Sequence, residues 1–427
     1  MTSIHPIDPV ERNGKKCCFE LSAGRSVLPA GQKSILELKA SVTGFEVESE
    51  SHRPSLNIAL VIDRSGSMSG RKIEQAKEAA ACAVRQMREN DIVSVVIYDD
   101  EVEVLVPATK CTDEQTILSK IKSIRSGGAT ALYDGTVKGA NEVKKFFAKG
   151  QVNRVILLSD GMANVGPSTP EELGELGGRL ADEGISVTTL GLGEGYDEDL
   201  MQKLAQASDG NHVFITSESS LVEVFDQEFQ SVTSVVASEA VCEILCAEGV
   251  CPIRVLNRDA EIDGGKVRVS WNQIYSGHER YVLLEVEVPS GANRQKRSIA
   301  SGTLKYANLQ TRTADTLTDS VEISYSVSED DVRRSANASV LRSYAEQSAA
   351  SAREEAIRMR DAGDLVGAQY MLYSAVNNVK MYSPAMAEDL AEEANEVKND
   401  SKWNGFRKRM RARANSTRNQ QKGDSVK

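Results

Sequence analysis

The sequence predicts an α/β protein in which a domain with a mostly parallel sheet is inserted in an antiparallel β-sandwich and followed by a helical hairpin region. Between residues 54 and 235, apolar runs such as LNIALVI (56–62) alternate with helical patterns. That alternation is typical of a buried parallel sheet wrapped by helices. On both sides of this domain, apolar and polar residues alternate as in half-buried strands, and from residue 336 the apolar spacing is helical.

The chain therefore divides into segments of different pattern. The early strands are too few to fold alone, so we expect them to join the later strands in one sandwich. Within the α/β domain, Thr169 followed by Pro170 predicts a helix start, because Thr caps helix N-termini and Pro suits the first turn. The predicted segments are an N-terminal tail (1–14), sandwich strands (15–50), the α/β domain (54–235), the rest of the sandwich (238–330), a helical region (336–400) and a basic tail (401–427).

The composition of the chain disfavours some classes of function. The 427 residues carry a net charge of −11, which disfavours nucleic-acid binding by the chain as a whole. The basic tail contains nine Lys and Arg residues, so contact with nucleic acid, anionic lipid or an acidic partner stays open there. No apolar run approaches the roughly 18 residues of a membrane span. The start MTSIHPIDPVERNGKK has no apolar signal region, and we therefore expect a cytoplasmic protein.

Cysteine and histidine offer weak signals. Three of the seven cysteines, Cys242, Cys246 and Cys251, lie close together in the sequence. A metal centre there would need a fourth ligand, and a disulfide would need export, so we expect free thiols in a strand and turn. His212 stands beside an apolar strand with no nucleophile or acid in a recognisable pattern, and we expect it to be structural.

Side chains with oxygen atoms follow the ends of predicted strands. LVIDRSGSMSG (60–70) turns from an apolar run to oxygen side chains spaced two apart, and SGGATALYDG (126–135) and VILLSDGMANVG (155–166) add two more. Ligands bind open α/β sheets where strands end, and oxygen donors suit Mg²⁺ or Mn²⁺ rather than zinc. The five candidate metal ligands are Asp63, Ser65, Ser67, Thr130 and Asp160.

These three loops, in this order, resemble the metal-ion-dependent adhesion site of a von Willebrand factor A (VWA) domain. The resemblance covers residues 54–234 and implies a Rossmann-like fold. NRVILLSDGMANVG and GISVTTLGLGEGYDEDLMQKLAQASDGNHVFI are also similar to bacterial VWA proteins labelled calcium-activated chloride channel homologues and to inter-α-trypsin-inhibitor heavy chains. We expect no channel activity, because no segment is predicted to cross a membrane.

The resemblance implies a role for each candidate ligand. Ser65 and Ser67 would bind the cation through their hydroxyls, and Thr130 directly or through water. Asp63 and Asp160 would bind directly or through water and supply negative charge. The remaining coordination position would accept an Asp or Glu carboxylate from a partner protein. A cation with few anionic ligands stays electrophilic, which agrees with that role. A site that is metal-free and serves only folding is the alternative.

Enzymatic readings of the same residues fail on particular positions. A phosphatase of the haloacid-dehalogenase type would need an acid where Ser65 stands, since that second acid donates the proton. A P-loop would need Gly and then Lys where Arg71 and Lys72 stand, followed by Ser or Thr instead of Ile73. We therefore predict no enzymatic activity.

The predicted function is that of a metal-dependent interaction or scaffold protein, with the helical region as a second contact or an oligomerisation element. One helical hairpin resembles a fragment of a tetratricopeptide repeat but is too short to form a solenoid. Two alternatives remain: a self-assembling structural protein in which the metal only stabilises, or a regulator of a neighbouring ATPase or kinase. A helix predicted at 221–236 would connect the α/β domain to the sandwich and transmit partner binding.

Overall fold

The computed structural model of the protein describes residues 16–47 and 53–420. The predicted N-terminal tail (1–14) and the end of the basic tail (421–427) lie outside the described residues. The strands are β1 (Cys18–Ala23), β2 (Val27–Pro29), β3 (Ser34–Thr43), β4 (Leu56–Asp63), β5 (Ile92–Tyr98), β6 (Val102–Lys110), β7 (Val152–Ser159), β8 (Ser186–Leu192), β9 (His212–Ile215), β10 (Val235–Cys246), β11 (Cys251–Val255), β12 (Glu261–Asp263), β13 (Lys266–Tyr275), β14 (Glu279–Val288), β15 (Lys296–Asn308) and β16 (Thr313–Ser326).

The helices surround the central sheet and then form a C-terminal layer. They are α1 (Arg71–Arg85), α2 (Glu114–Lys122), α3 (Leu132–Lys144), α4 (Pro170–Asp182), α5 (Glu198–Ala207), α6 (Leu221–Thr233), α7 (Glu329–Arg334), α8 (Ala338–Asp361), α9 (Leu365–Val379), α10 (Pro384–Glu396) and α11 (Trp403–Asn419). In the part of the chain that the structure describes, no helix is both long enough and apolar enough to cross a membrane.

The α/β domain contains a six-stranded sheet in the order β6-β5-β4-β7-β8-β9. All neighbouring pairs are parallel except β5 with β6, so the predicted mostly parallel sheet is confirmed. β4, β5 and β7 are buried along their whole length, because helices cover both faces of the sheet. Their apolar runs are therefore what identified the domain in the sequence.

The sandwich combines strands that precede the α/β domain with strands that follow it, as predicted. One sheet has the order β1-β3-β14-β11 and the other β12-β13-β10-β15-β16-β2. β3 pairs with β14 in antiparallel register, with Leu36 opposite Val286, so an early strand adds to a late one. The inward side chains of both sheets form one core, which includes Leu38, Trp271 and Leu304. The α/β domain thus emerges between two strands that are fixed in the same sandwich.

Local sequence explains individual element ends. Thr169 caps α4 by a reciprocal hydrogen-bond pattern with Glu172, as the sequence predicted. The predicted helix at 221–236 stops earlier: α6 ends at Thr233, and Val235 already pairs with Tyr275 in the sandwich. Two β-branched valines at this point favour the strand. The connection from α6 to the sandwich is therefore a single residue, Ser234.

The helical region packs as a layer of four helices. α8 and α9 form the predicted hairpin, and Gly363 makes the turn between them with a φ of 89°. Ala356 of α8, Leu372 of α9 and Leu390 of α10 share one core with Phe406 of α11. Residues 403–419, which the sequence placed in a basic tail, are thus a packed helix.

Helix α11 also docks on the α/β domain. Lys408 is 5% exposed and donates a hydrogen bond of 2.6 Å to the carbonyl oxygen of Tyr196. The same ammonium group pairs with Glu198 in α5. Arg407 pairs with Asp199, also in α5, at 2.8 Å. These charges explain why so basic a segment is ordered: its cations face the acidic start of α5.

We predict that Lys408→Met lowers the free energy of unfolding by about 3 kcal/mol, because it leaves a partly buried Glu198 carboxylate with one counterion fewer. Urea unfolding of the full chain measures the change. The control is Lys402→Met, an exposed lysine just before α11, which should change the free energy by less than about 0.5 kcal/mol. Equal effects of the two variants would contradict the described docking.

Candidate functional site

The predicted ligand loops meet at the carboxyl edge of the parallel sheet. Asp63 is the last residue of β4, and β4 pairs with β7 so that Ile62 lies opposite Leu158. Asp160 follows β7 directly and therefore stands at the same edge as Asp63. Both carboxylates are buried, with 0% and 2% of the residue exposed. Two buried acids side by side require local hydrogen bonds or positive charge.

Asp63 is held at both oxygens. Its Oδ1 accepts a hydrogen bond of 2.8 Å from the backbone N–H of Ser65, and its Oδ2 accepts one of 2.6 Å from the Ser159 hydroxyl. Burial nevertheless raises the pKa of the Asp63 carboxyl to about 6, because desolvation outweighs these hydrogen bonds and the Asp160 charge adds to it. A nearby cation would stabilise the ionised form.

Asp160 is engaged by a serine and a lysine. The Ser67 hydroxyl donates to its Oδ1 at 2.6 Å, and the two hydroxyl oxygens of Ser65 and Ser67 are 3.1 Å apart. The ammonium of Lys72, in the first turn of α1, pairs with Oδ2. Asp63, Ser65, Ser67 and Asp160 therefore form one connected group of oxygen atoms.

Thr130 reaches the same group from the second loop. It is 4% exposed, and its backbone N–H donates to the side-chain oxygen of Asn164 at 2.8 Å. The Asn164 N–H in turn donates to the Thr130 carbonyl at 3.2 Å. A Cβ atom at Gly161 would lie 3.4 Å from both Ser67 Oγ and Thr130 Oγ1. The two hydroxyls thus face the same small space, and the structure brings together all five predicted residues.

The donor set fits a hard divalent cation. Two carboxylates and three hydroxyls offer oxygen alone, which Mg²⁺ and Mn²⁺ prefer, and the carboxylate burial makes a counterion favourable. Cys242, Cys246 and Cys251 are free thiols, the first two buried and the third exposed. Among residues 16–47 and 53–420, no group of three or more His, Cys, Asp or Glu side chains is placed to hold a metal.

Three contributing residues were missed by sequence reasoning. Ser159 donates to Asp63, Asn164 fixes Thr130, and Lys72 pairs with Asp160. Ser159 and Asn164 flank Asp160 in the loop already singled out, so their polarity was the available signal. There was no signal for Lys72 in the sequence, because a lysine in the first turn of a helix is ordinarily exposed to solvent.

His212 belongs to the interior, in agreement with the sequence prediction. Its ring nitrogens hydrogen-bond Thr189 Oγ1 at 2.9 Å and the Tyr196 hydroxyl at 3.2 Å. Burial, with a smaller effect of the Lys408 charge, lowers the pKa of His212 to about 3. A neutral, fully bonded imidazole is a structural element and supplies no acid or base to the site.

We predict that Gly128→Ala destabilises the protein by about 2 kcal/mol, because the glycine has a φ of 74° and a Cβ would lie 2.0 Å from Asp100 Oδ1. The matched control is Gly127→Ala, whose Cβ would meet nothing within 4 Å. Urea unfolding of both variants measures the change in the free energy of unfolding. An equal loss of stability in Gly127→Ala would contradict the close packing of Gly128 against Asp100.

The part of the chain that carries this site is similar to known proteins. A sequence profile described as the von Willebrand factor type A domain matches residues 57–228. The uncharacterized protein YfbK of Escherichia coli (strain K12) is 27% identical over 209 residues, which cover 48% of this chain and 36% of YfbK. Human inter-alpha-trypsin inhibitor heavy chain H3 is 32% identical over 163 residues, covering 36% of this chain and 18% of that protein.

These matches cover well under half the length of either relative, so the likeness is that of one domain. The similarity of the fold covers more of the chain than the similarity of the sequence does. The solved structure of a von Willebrand factor type A protein from Catenulispora acidiphila superposes with a TM-score of 0.73 at 18% identity. The superposition covers 90% of this chain and 91% of that one. At this identity the comparison shows a shared arrangement of sheets and helices across nearly the whole chain.

Proposed function

Because residues 57–228 form a von Willebrand factor type A domain, we propose that the protein is a non-enzymatic interaction or scaffold protein whose partner binds through a divalent cation. VWA domains commonly mediate protein–protein interactions. The observation that carries the finer proposal is the convergence of five oxygen-bearing side chains at one edge of the sheet, four of them buried and Ser67 open to solvent. The cation is Mg²⁺ or Mn²⁺, and the partner group is an Asp or Glu carboxylate.

The residues of the site would have different roles in binding the cation. Asp63 and Asp160 supply the negative charge that retains the cation, and their burial keeps competing water away. Ser65 and Ser67 add neutral oxygens, and Thr130 is aimed by its backbone bonds to Asn164. The bound cation supplies an electrophilic position for an incoming carboxylate. Since the two acids do not exceed the charge of a divalent cation, an additional anion is not repelled.

A catalytic role has no support in the chemistry of this edge. Ser65 stands where a phosphatase would need a proton-donating acid, and His212 is buried and neutral. We also propose a reducing compartment such as the cytoplasm, because all seven cysteines are free thiols.

We predict that Ser67→Ala weakens Mn²⁺ binding at least about tenfold, because it removes a hydroxyl that touches Asp160 and adjoins Ser65. Isothermal titration with Mn²⁺ measures the affinity. Ser69→Ala is the matched control: it is an exposed serine of the same loop and should bind Mn²⁺ like the unmodified chain. Equal affinity of Ser67→Ala and the unmodified chain would contradict the assigned ligand set.

We predict that partner capture depends on the cation. The immobilised chain, incubated with lysate in Mg²⁺ or in EDTA, should retain its specific partners only in Mg²⁺, and Ser67→Ala should lose them as EDTA does. Identical recovery in Mg²⁺ and EDTA would contradict a metal-bridged contact. Self-assembly that survives chelation, measured by light scattering, would instead favour a structural protein in which the metal only stabilises.

A further inference from the structure

A lysine of the chain lies against a proposed metal ligand. Lys72 stands in the first turn of α1, and its ammonium pairs with Asp160 Oδ2. The Asp160 side chain is 0% exposed, whereas the Lys72 side chain is 34% exposed. The other oxygen of Asp160 accepts the Ser67 hydroxyl at 2.6 Å. Both oxygens of this carboxylate are therefore engaged by the chain itself, one of them by a full positive charge.

We propose that Lys72 tunes the charge of the site so that a divalent cation binds weakly alone and more tightly together with an anionic group. The inference rests on the proposed function, since it concerns the same cation and the same incoming carboxylate. Lys72 acts as a specificity-determining residue: it makes the site respond to a partner's negative charge rather than retain metal by itself.

Three charged side chains set the charge of the site. Asp63 and Asp160 together contribute two negative charges, which a divalent cation alone would neutralise. Lys72, in contact with Asp160, cancels one of them. A divalent cation then leaves these side chains with one positive charge in excess. The excess charge lies beside two buried carboxylates, where solvent screens it only in part, and one external carboxylate restores neutrality.

Other cations near the loops do not play this part. Arg64, directly after Asp63, is held away by Asp99, with Nε 2.9 Å from Oδ2, and by Glu103. Arg71 is exposed, and within residues 16–47 and 53–420 it forms no ion pair within 4.0 Å. Among the residues that the structure describes, Lys72 is the cation that pairs with a buried proposed ligand. A substitution at Arg71 therefore tests general surface charge, and one at Lys72 tests contact.

The experiment is a Mn²⁺ titration by calorimetry on the full chain, in chloride and in acetate buffer at equal ionic strength. Acetate is the probe for an anionic carboxylate. The variants are Lys72→Met, which removes the charge, Lys72→Arg, which retains it, and Arg71→Met as the control. Circular dichroism melting curves establish that each variant is folded, and a variant that melts early is replaced by Lys72→Gln.

Three results are expected. Lys72→Met binds Mn²⁺ at least about tenfold more tightly in chloride, because a like charge close to the cation is gone. Acetate tightens Mn²⁺ binding to the unmodified chain and to Lys72→Arg, and this enhancement is largely lost in Lys72→Met. By linkage, Mn²⁺ strengthens acetate binding by the same factor. Arg71→Met changes the Mn²⁺ affinity less than about twofold, since its charge is in solvent.

The outcomes separate this inference from the proposed function. Mn²⁺ binding that is equal in the unmodified chain and in Lys72→Met, with the same acetate effect, overturns the role of Lys72 and leaves the metal site standing. Binding in Lys72→Met alone supports Lys72 as the competing charge and contradicts a metal-loaded native chain. Folded proteins that bind no Mn²⁺ in any form contradict both.

Discussion

The burial of two carboxylates at one edge of a parallel sheet is the constraint on which the rest of this structure depends. Asp63 ends β4, Asp160 follows the adjacent strand β7, and both are removed from water, so each of their oxygens needs a partner. Ser65, Ser67, Ser159 and Lys72 provide those partners from the surrounding loops and the start of α1. The same arrangement that satisfies the acids also assembles the oxygen donors of a cation site.

The remainder of the chain immobilises this edge. The fully buried Arg154 of β7 donates a hydrogen bond of 2.7 Å to the hydroxyl of Tyr275 in β13, and this bond connects the parallel sheet to the sandwich. The loop after the carboxyl end of β8 lies against the site, since a Cβ atom at Gly195 would be 3.0 Å from the Asp160 carbonyl oxygen. The next residue of this loop, Tyr196, accepts a hydrogen bond from Lys408 at its carbonyl oxygen. Helix α11 thus fixes a loop that lies against the site, and the sandwich fixes the sheet beneath it.

Much of this arrangement could be predicted from sequence, because the signals were local. Continuous apolar strands, the Thr169 cap and oxygen residues after strand ends all depend on neighbours in the chain. β6 was missed, since it is a partly exposed antiparallel edge strand without a continuous apolar run. The packing of α11 was missed as well: its buried positions include Lys408 and Ala412, and its acidic partners lie about two hundred residues earlier. Such long-range pairing leaves no periodic pattern in the sequence.

The central claim is that the five oxygen-bearing residues hold one divalent cation. Diffraction from crystals grown with Mn²⁺, recorded near the manganese absorption edge, tests it without any partner. The account predicts an anomalous peak at the carboxyl edge of the sheet, within coordination distance of the Ser65 and Ser67 hydroxyls and beside Asp63, Thr130 and Asp160. A Mn²⁺-saturated crystal with no peak there, or with its peaks elsewhere on the surface, would contradict the account.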